Sequence, residues 1–232
     1  IKSDLTITKQ HYKNPNKKHF NSIAFLQYTS GSTSDPKGVM VTHLNILYNC
    51  KVIKRKMNIT KNSRILSWLP NFHDMGLIGG YLPCIYSGST TILMDASTFI
   101  QNPIKWLQSI TKYKASHSGG PNFSYNLCCE KITTAQKETL DLNSWICAFN
   151  GAEPIQANAI KKFSDHFKKY NFKSTAHYPC YGLAEATLLV SGIKTNAPPK
   201  IIHAINHELE KNEIIETIAS DKNSIPIVSC GN

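Results

Sequence analysis

At 232 residues, with 41% apolar and 18% charged side chains, the chain has the composition of a folded protein and the length for one large core or two small lobes. Wholesale disorder is excluded, and no apolar run approaches the roughly 20 residues that span a bilayer, so no transmembrane segment is expected. The net charge of +11 is nearly all lysine, dispersed along the chain, with Arg55 and Arg64 the only arginines. A nucleic-acid reader favours arginine's planar fork, so no nucleic-acid partner is expected beyond a weak polyanion affinity.

In chain order, the opening "IKSDLTITKQHYKNPNKKHF" is polar, lacks a starting Met and an apolar signal, and reads as the cut end of a longer chain. "SIAFLQYTS" (22–30) predicts a buried strand entering a loop, and "GVMV" (38–41) a second short strand. Thr42 is a helix cap, followed by one apolar face of Leu44, Leu47, Tyr48 and Val52. "RILSWLP" (64–70) and "TTILM" (90–94) are further strands. Asn102 and Pro103 predict a cap and a first-turn proline for a helix through Trp106, Leu107 and Ile110. "SWICAFNG" (144–151) is a strand, a helix after Pro154 carries Ile160, Phe163 and Phe167, and "STAHYPCYG" (174–182) is a last strand entering a turn. Strands separated by helices predict an α/β fold, a largely parallel sheet with flanking helices. Ligands of such sheets bind beyond the carboxyl ends of strands, where the loops 29–38, 150–154 and 181–187 lie. Beyond residue 192 the texture changes to a Pro-Pro turn and mixed short apolar and charged pairs, a peripheral element that returns to a strand at "IPIVSC". The seven cysteines show neither CxxC spacing nor an even count, against a disulfide framework or zinc site and in favour of a reducing, cytoplasmic setting.

The segment "YTSGSTSDPKGV" (28–39) carries most of the chemistry. It fails the Walker pattern, because lysine precedes glycine and no Ser or Thr follows it. Its composition still suits polyphosphate: Gly31 and Gly38 expose backbone N–H groups, Thr29, Ser30, Ser32 and Thr33 offer hydroxyls, and Lys37 a mobile charge. A solvent-facing Ser/Thr turn has the same composition, and composition alone leaves both readings open.

"YTSGSTSDPKGVMVTH" resembles the phosphate-loop motif of the adenylate-forming ligase superfamily, which includes acyl-CoA synthetases, luciferases and peptide-synthetase adenylation domains. "SWLPNFHDMGLIGGYLPCIYSG" resembles its acyl-pocket motif, "NGAEP" its adenine-contacting loop and "CYGLAEATLLVSG" its YGxTE-type motif, all in family order. "HDMGLIGG", "PNFSYNLC", "NGAEPI" and "YGLAEATLLVSG" look like the fatty acyl-AMP ligases within it.

The resemblance implies ATP-dependent activation of a fatty acid to its acyl-adenylate, with release of pyrophosphate. The acyl group would pass to an acyl carrier protein or a carrier domain of a polyketide or peptide synthase. Thr29, Ser30, Gly31, Ser32, Thr33, Lys37 and Gly38 would hold the phosphates, and Glu185 would ligate Mg2+, making Lys37 and Glu185 the catalytic pair. Asn150, Gly151, Ala152, Glu153, Tyr181 and Gly182 would line AMP. Ala184 replaces the superfamily's usual Thr before the acid, which leaves Thr187 to supply a hydroxyl. Phe72, His73, Met75, Ile78, Asn122 and Phe123 would line the acyl tunnel, with His73 a wall or gating residue, not a base; plain core accounts for apolar residues there equally well.

The resemblance implies three parts: a partial large N-terminal domain (1–193), a subfamily-type insertion (194–227) associated with acyl-adenylate formation without coenzyme A, and the start of the next strand (228–232). The family's ribose-binding acid, hinge and mobile carboxy-terminal domain have no counterpart here, so weak or no turnover is expected of this piece alone. Two other readings stand beside this one: a long-chain acyl-CoA synthetase, and a degenerate nucleotide-binding or scaffold module.

Overall fold

The computed structural model describes residues 19–29 and 37–231. It begins with an antiparallel ribbon, β1 (Ile23–Tyr28) on β2 (Gly38–Thr42), in which Tyr28 pairs with Gly38. The expected strand is there, but it is not buried: Ile23, Leu26 and Tyr28 are exposed. Among the described residues β1 pairs with β2 alone and stays outside the main sheet, and Gln27 is its one buried side chain. The Gln27 carboxamide donates to the Phe72 carbonyl (3.3 Å), tying the ribbon to the loop that precedes the HDMGLIGG segment.

Helix α1 (His43–Lys56) starts where Thr42 was expected to cap it. The Thr42 hydroxyl accepts from Asn45 N–H, and Asn45 Oδ1 accepts from Thr42 N–H, a reciprocal capping box. Its last turn carries Lys54, Arg55 and Lys56, favourable to the helix dipole. The expected apolar stripe is not the buried face. Leu44, Leu47 and Tyr48 point to solvent, whereas Asn49, Cys50 and Ile53 are buried. A buried polar residue at position 49 turns the helix away from the face that hydrophobicity alone selects.

The main sheet is built from β3 (Arg64–Ser67), β4 (Thr90–Leu93), β5 (His117–Gly119), β6 (Cys147–Asn150), β7 (His177–Gly182) and β8 (Leu189–Gly192). Its order is β4-β3-β5-β6-β7-β8; the first five strands run parallel and β8 returns antiparallel to β7. Between them lie a π-helix (Met75–Tyr81), α2 (Leu82–Ser87), α3 (Ala96–Gln101), α4 (Ile104–Tyr113), α5 (Asn122–Lys131), α6 (Thr134–Lys137) and α7 (Ala157–Phe167). The Asn102 side chain caps nothing: Pro103 occupies the N-cap of α4, and Asn102 ends α3, whose own cap is the Asp95 carboxylate. Strand β7 starts after a 3-10 turn at Ser174–Ala176, later than the expected residue 174.

Alternation along the strands divides the core into two layers. Leu66 and Ala148 face a cluster with Trp106, Tyr125, Trp145, Phe163 and Phe167. Ile65, Cys147 and Phe149 face the other, with Ile53, Met57, Met75, Ile78, Tyr178 and Leu189. The fold is α/β, a largely parallel sheet covered by α4, α5 and α7 on one side and by α1 and the π-helix on the other. Among the described residues, no helix is long and apolar enough to cross a membrane.

Beyond β8, β9 (Ile201–Ile205), β10 (Glu216–Thr217) and β11 (Ser224–Val228) form a separate antiparallel sheet of order β10-β9-β11. The boundary expected at residues 227 and 228 therefore falls inside β11. Val228 packs with Ile155 and Ile160, joining that strand to α7.

Candidate functional site

The parallel strands β3, β6 and β7 end on the same side of the sheet, and the loops that leave them close on one cavity of about 170 Å³. The β3 loop contributes His73 and Asp74, and the π-helix adds Met75 and Gly79. The end of β6 contributes Phe149, Gly151 and Ala152, the end of β7 Cys180, Tyr181 and Gly182, and the following turn Leu188 and Leu189; Ile53 of α1 and Met57, its C-cap, complete the lining. Of the expected site residues, His73, Met75, Gly151, Ala152, Tyr181 and Gly182 meet here.

The π-helix is the least ordinary element of the site. Such helices are rare and often sit at functional positions, because one extra residue per turn re-aims side chains. Its sequence, MGLIGGY, has three glycines, and the Asp74 carboxylate caps it by accepting Met75 N–H (2.6 Å). His73 Nδ1 lies 2.8 Å from Asp74 Oδ1. The hydrogen bond to Asp74 raises the His73 pKa from its ordinary value, against partial burial. Asp74 was not singled out in the sequence; an acid immediately before an apolar helical run is the signal that would have found it.

Asn150, Asn122 and Glu153 sit behind the cavity wall and shape it. Asn122 is buried, donates through Nδ2 to the Pro154 carbonyl (2.9 Å), and accepts at Oδ1 from Asn150 Nδ2 and Gln156 N–H (both 3.0 Å). The Asn122 backbone N–H in turn donates to Glu153 Oε1 (2.8 Å). These bonds peg the NGAEP loop to the start of α5, and Asn122 is a strut of that loop. Ala152 holds φ at 74°, uncommon for a residue with a side chain, and this network holds the loop that contains it.

Ile78 is fully buried in the core beneath the π-helix and is not among the residues lining this cavity, because the helix phase that puts Met75 and Gly79 on its wall turns residue 78 inward. Phe72 is 85% exposed and Phe123 46%, with Phe123 edge-on to Trp68 at 5.9 Å; both lie outside the enclosed wall. Cys180 lines the cavity, but burial pushes its thiol up to about 12, so it is no nucleophile at neutral pH.

Glu185 and Thr187 occupy a neighbouring groove of about 550 Å³ between α1 and the turn after β7, which shares Leu189 with the cavity. Glu185 is exposed and, among the described residues, makes no ion pair. Lys37 and Gly38 are exposed at the start of β2, where Thr29 N–H donates to the Lys37 carbonyl (3.0 Å); Lys37 lines neither space. Ser30, Gly31, Ser32 and Thr33 lie outside the described residues. No cluster of three metal-type side chains occurs among the described residues.

A parallel sheet whose strand-end loops bring the HDMGLIGG, NGAEP and YGLAEA segments to one cavity defines the class. The chain belongs to the AMP-binding enzyme family, whose sequence pattern matches residues 2–211. It is similar to the medium-chain-fatty-acid–[acyl-carrier-protein] ligase JamA of Moorena producens (strain JHB), 43% identical over 213 residues, covering 91% of this chain and 36% of JamA. Among solved structures it is similar to the fatty acid AMP ligase from Legionella pneumophila (47% identity, TM-score 0.89, covering 92% of this chain and 37% of that one). It is also similar to the fatty acyl-adenylate ligase of L. pneumophila in complex with acyl adenylate and pyrophosphate (47% identity, TM-score 0.88, covering 92% and 38%). The chain thus spans little more than a third of the length of these relatives.

Proposed function

We propose that this chain is part of the large N-terminal domain of a fatty acyl-AMP ligase, which uses ATP to convert a fatty acid to its acyl-adenylate for transfer to an acyl carrier protein. The observation that carries this reading is convergence: HDMGLIGG, NGAEP and YGLAEA, far apart in sequence, supply three walls of one largely apolar cavity. The similarity to a fatty acid–[acyl-carrier-protein] ligase and to a ligase holding acyl adenylate and pyrophosphate supports the substrate class. A cytoplasmic setting fits the free thiols.

A carboxylate oxygen attacks the α-phosphorus of ATP, an acyl–phosphate bond forms, the bridge to the β-phosphate breaks, and pyrophosphate leaves with its charge. The protein contributes in-line positioning and charge neutralisation, with no obligatory acid or base. In this reading Gly151, Ala152, Tyr181 and Gly182 face AMP, with Asn150 and Glu153 holding the loop behind them. His73 and Met75 form the inner acyl wall, and Phe72 and Phe123 its outer rim. Thr29, Ser30, Gly31, Ser32, Thr33, Lys37 and Gly38 would hold the phosphates. Thr187 stays with the AMP contacts. Magnesium fits Glu185, an exposed carboxylate beside a roomy groove, because the ion takes one or two carboxylates and draws its other ligands from phosphate and water. Bound there, it would offset the charge that develops on the leaving phosphates.

In the full-length parent, ATP, magnesium and a fatty acid are expected to give an adenylate trapped by hydroxylamine, and an acylated carrier when carrier protein is added. Equal formation of acyl-CoA would instead make it a long-chain acyl-CoA synthetase. Absence of both adenylate and ATP binding would leave a scaffold module. The 232-residue chain by itself is expected to give little or no acyl hydroxamate; robust turnover by it would overturn that expectation.

A further inference from the structure

The turn that carries Glu185 is held from outside by a residue that no motif includes. Asn49 is a polar residue on the buried face of α1, 6% exposed. Its Oδ1 accepts Leu189 N–H (3.1 Å), and its Nδ2 donates to the carbonyls of Leu189 (3.1 Å) and Ala186 (3.3 Å). One carboxamide thus satisfies three backbone groups on both sides of Thr187. That threonine has φ 73° and ψ −54° and is buried, a conformation that a β-branched residue adopts only when its surroundings over-determine it. Within the turn, Leu183 N–H donates to the Leu188 carbonyl (3.0 Å) and Thr187 N–H to the Ala184 carbonyl (2.9 Å). Glu185 sits in the single 3-10 turn, Ala184–Ala186, whose last carbonyl Asn49 holds. The same helix and its C-cap supply Ile53 and Met57 to the cavity lining, and Leu188 and Leu189 come to it from the clamped turn.

We propose that Asn49 is a positioning residue, which pins the strained 185–189 turn to α1 so that Glu185 is aimed at the triphosphate while Leu188 and Leu189 stay on the cavity wall. The proposal rests on the adenylating reading above. The Asn49 carboxamide is bonded to the backbone of the turn, so its role is exerted through Glu185. Asn49→Leu leaves one N–H and two carbonyls without their partner, and Asn49→Asp keeps the shape and the acceptor but loses both donations.

The test is a double-mutant cycle in the full-length parent, with single-turnover adenylation as the rate. Asn49→Asp and Asn49→Leu are each expected to slow the wild-type reaction about tenfold or more, and to slow the Glu185→Gln variant by less than about threefold, because the group being aimed is already gone. Amide exchange across 183–190, read by mass spectrometry, is expected to quicken in both Asn49 variants while exchange in β5 and β6 is unchanged. Should leucine prevent folding, the aspartate variant carries the same cycle. Equal slowing in the wild-type and Glu185→Gln backgrounds, or unchanged exchange in the turn, would overturn the positioning role and leave the ligase reading intact. A wild-type parent that forms no adenylate would remove both.

Discussion

Gly182 shows how little room the site leaves at single positions. A Cβ there would stand 2.3 Å from the Leu188 carbonyl oxygen, and the obstacle is backbone, not the end of a flexible side chain. Gly182→Ala must therefore push the 183–188 turn away from β7, at a cost of about 2–3 kcal/mol by analogy with other overpacked sites. The turn bears both Glu185 and the wall residue Leu188, so the same change is expected to lower adenylation in the parent and its melting temperature together. A variant that melts and reacts like wild type would show that the turn is free to move.

At the scale of elements, the π-helix sets two effects against each other. Glycine inside a helix costs up to about 1 kcal/mol relative to alanine, so Gly76→Ala looks stabilising on propensity. A Cβ at Gly76 would meet the Pro70 carbonyl oxygen at 2.1 Å and the Leu69 carbonyl oxygen at 2.9 Å, both on the loop that presents His73. Overpacking against backbone outweighs the propensity gain, and Gly76→Ala is expected to lose about 2 kcal/mol in a urea melt. A stabilised variant would mean that the segment can relax to an α-helix without disturbing that loop. Element scale is also where hydrophobic periodicity misled. Leu44, Leu47, Tyr48 and Val52 make a regular stripe, yet the helix buries Asn49 and Ile53, because a carboxamide with three backbone partners loses nothing by burial.

For the whole molecule, the buried histidines of the sheet tie stability to pH. Burial depresses the His177 pKa to about 4, and burial also lowers that of His117, whose Nε2 donates to the Met57 carbonyl (2.8 Å). Both values lie below the roughly 6.5 of an unfolded chain. As pH falls from about 6.5 towards 4, the unfolded state takes up protons that the fold refuses, so stability complete above that window is progressively lost within it. For His177 alone the loss is about 3 kcal/mol. Melts at pH 7 and pH 5 are expected to differ by several degrees, and His177→Gln to shrink that difference; equal melting temperatures would contradict the assignment.

What the sequence determined by itself was the α/β class with its largely parallel sheet, four of the six sheet strands, the helices α1, α4 and α7, and the strand-end loops at 150–154 and 181–187, since these follow from local patterning and from motifs that sit within a few residues of one another. The short β5, the returning β8 and the place of the β1–β2 ribbon outside the main sheet were not read. Thr42 as a cap was legible for the same reason: its partner, Asn45, is three residues away. Ile78, Asn122 and Asn49 were not legible. Whether residue 78 lines a wall or fills the core depends on the phase of a π-helix. Asn122 reaches loops 28 to 34 residues away, and Asn49 a turn 137 to 140 residues away. The tertiary structure alone decided those roles, because a buried hydrogen bond is defined by which backbone groups the fold brings within about 3 Å, and no local pattern encodes a partner that distant.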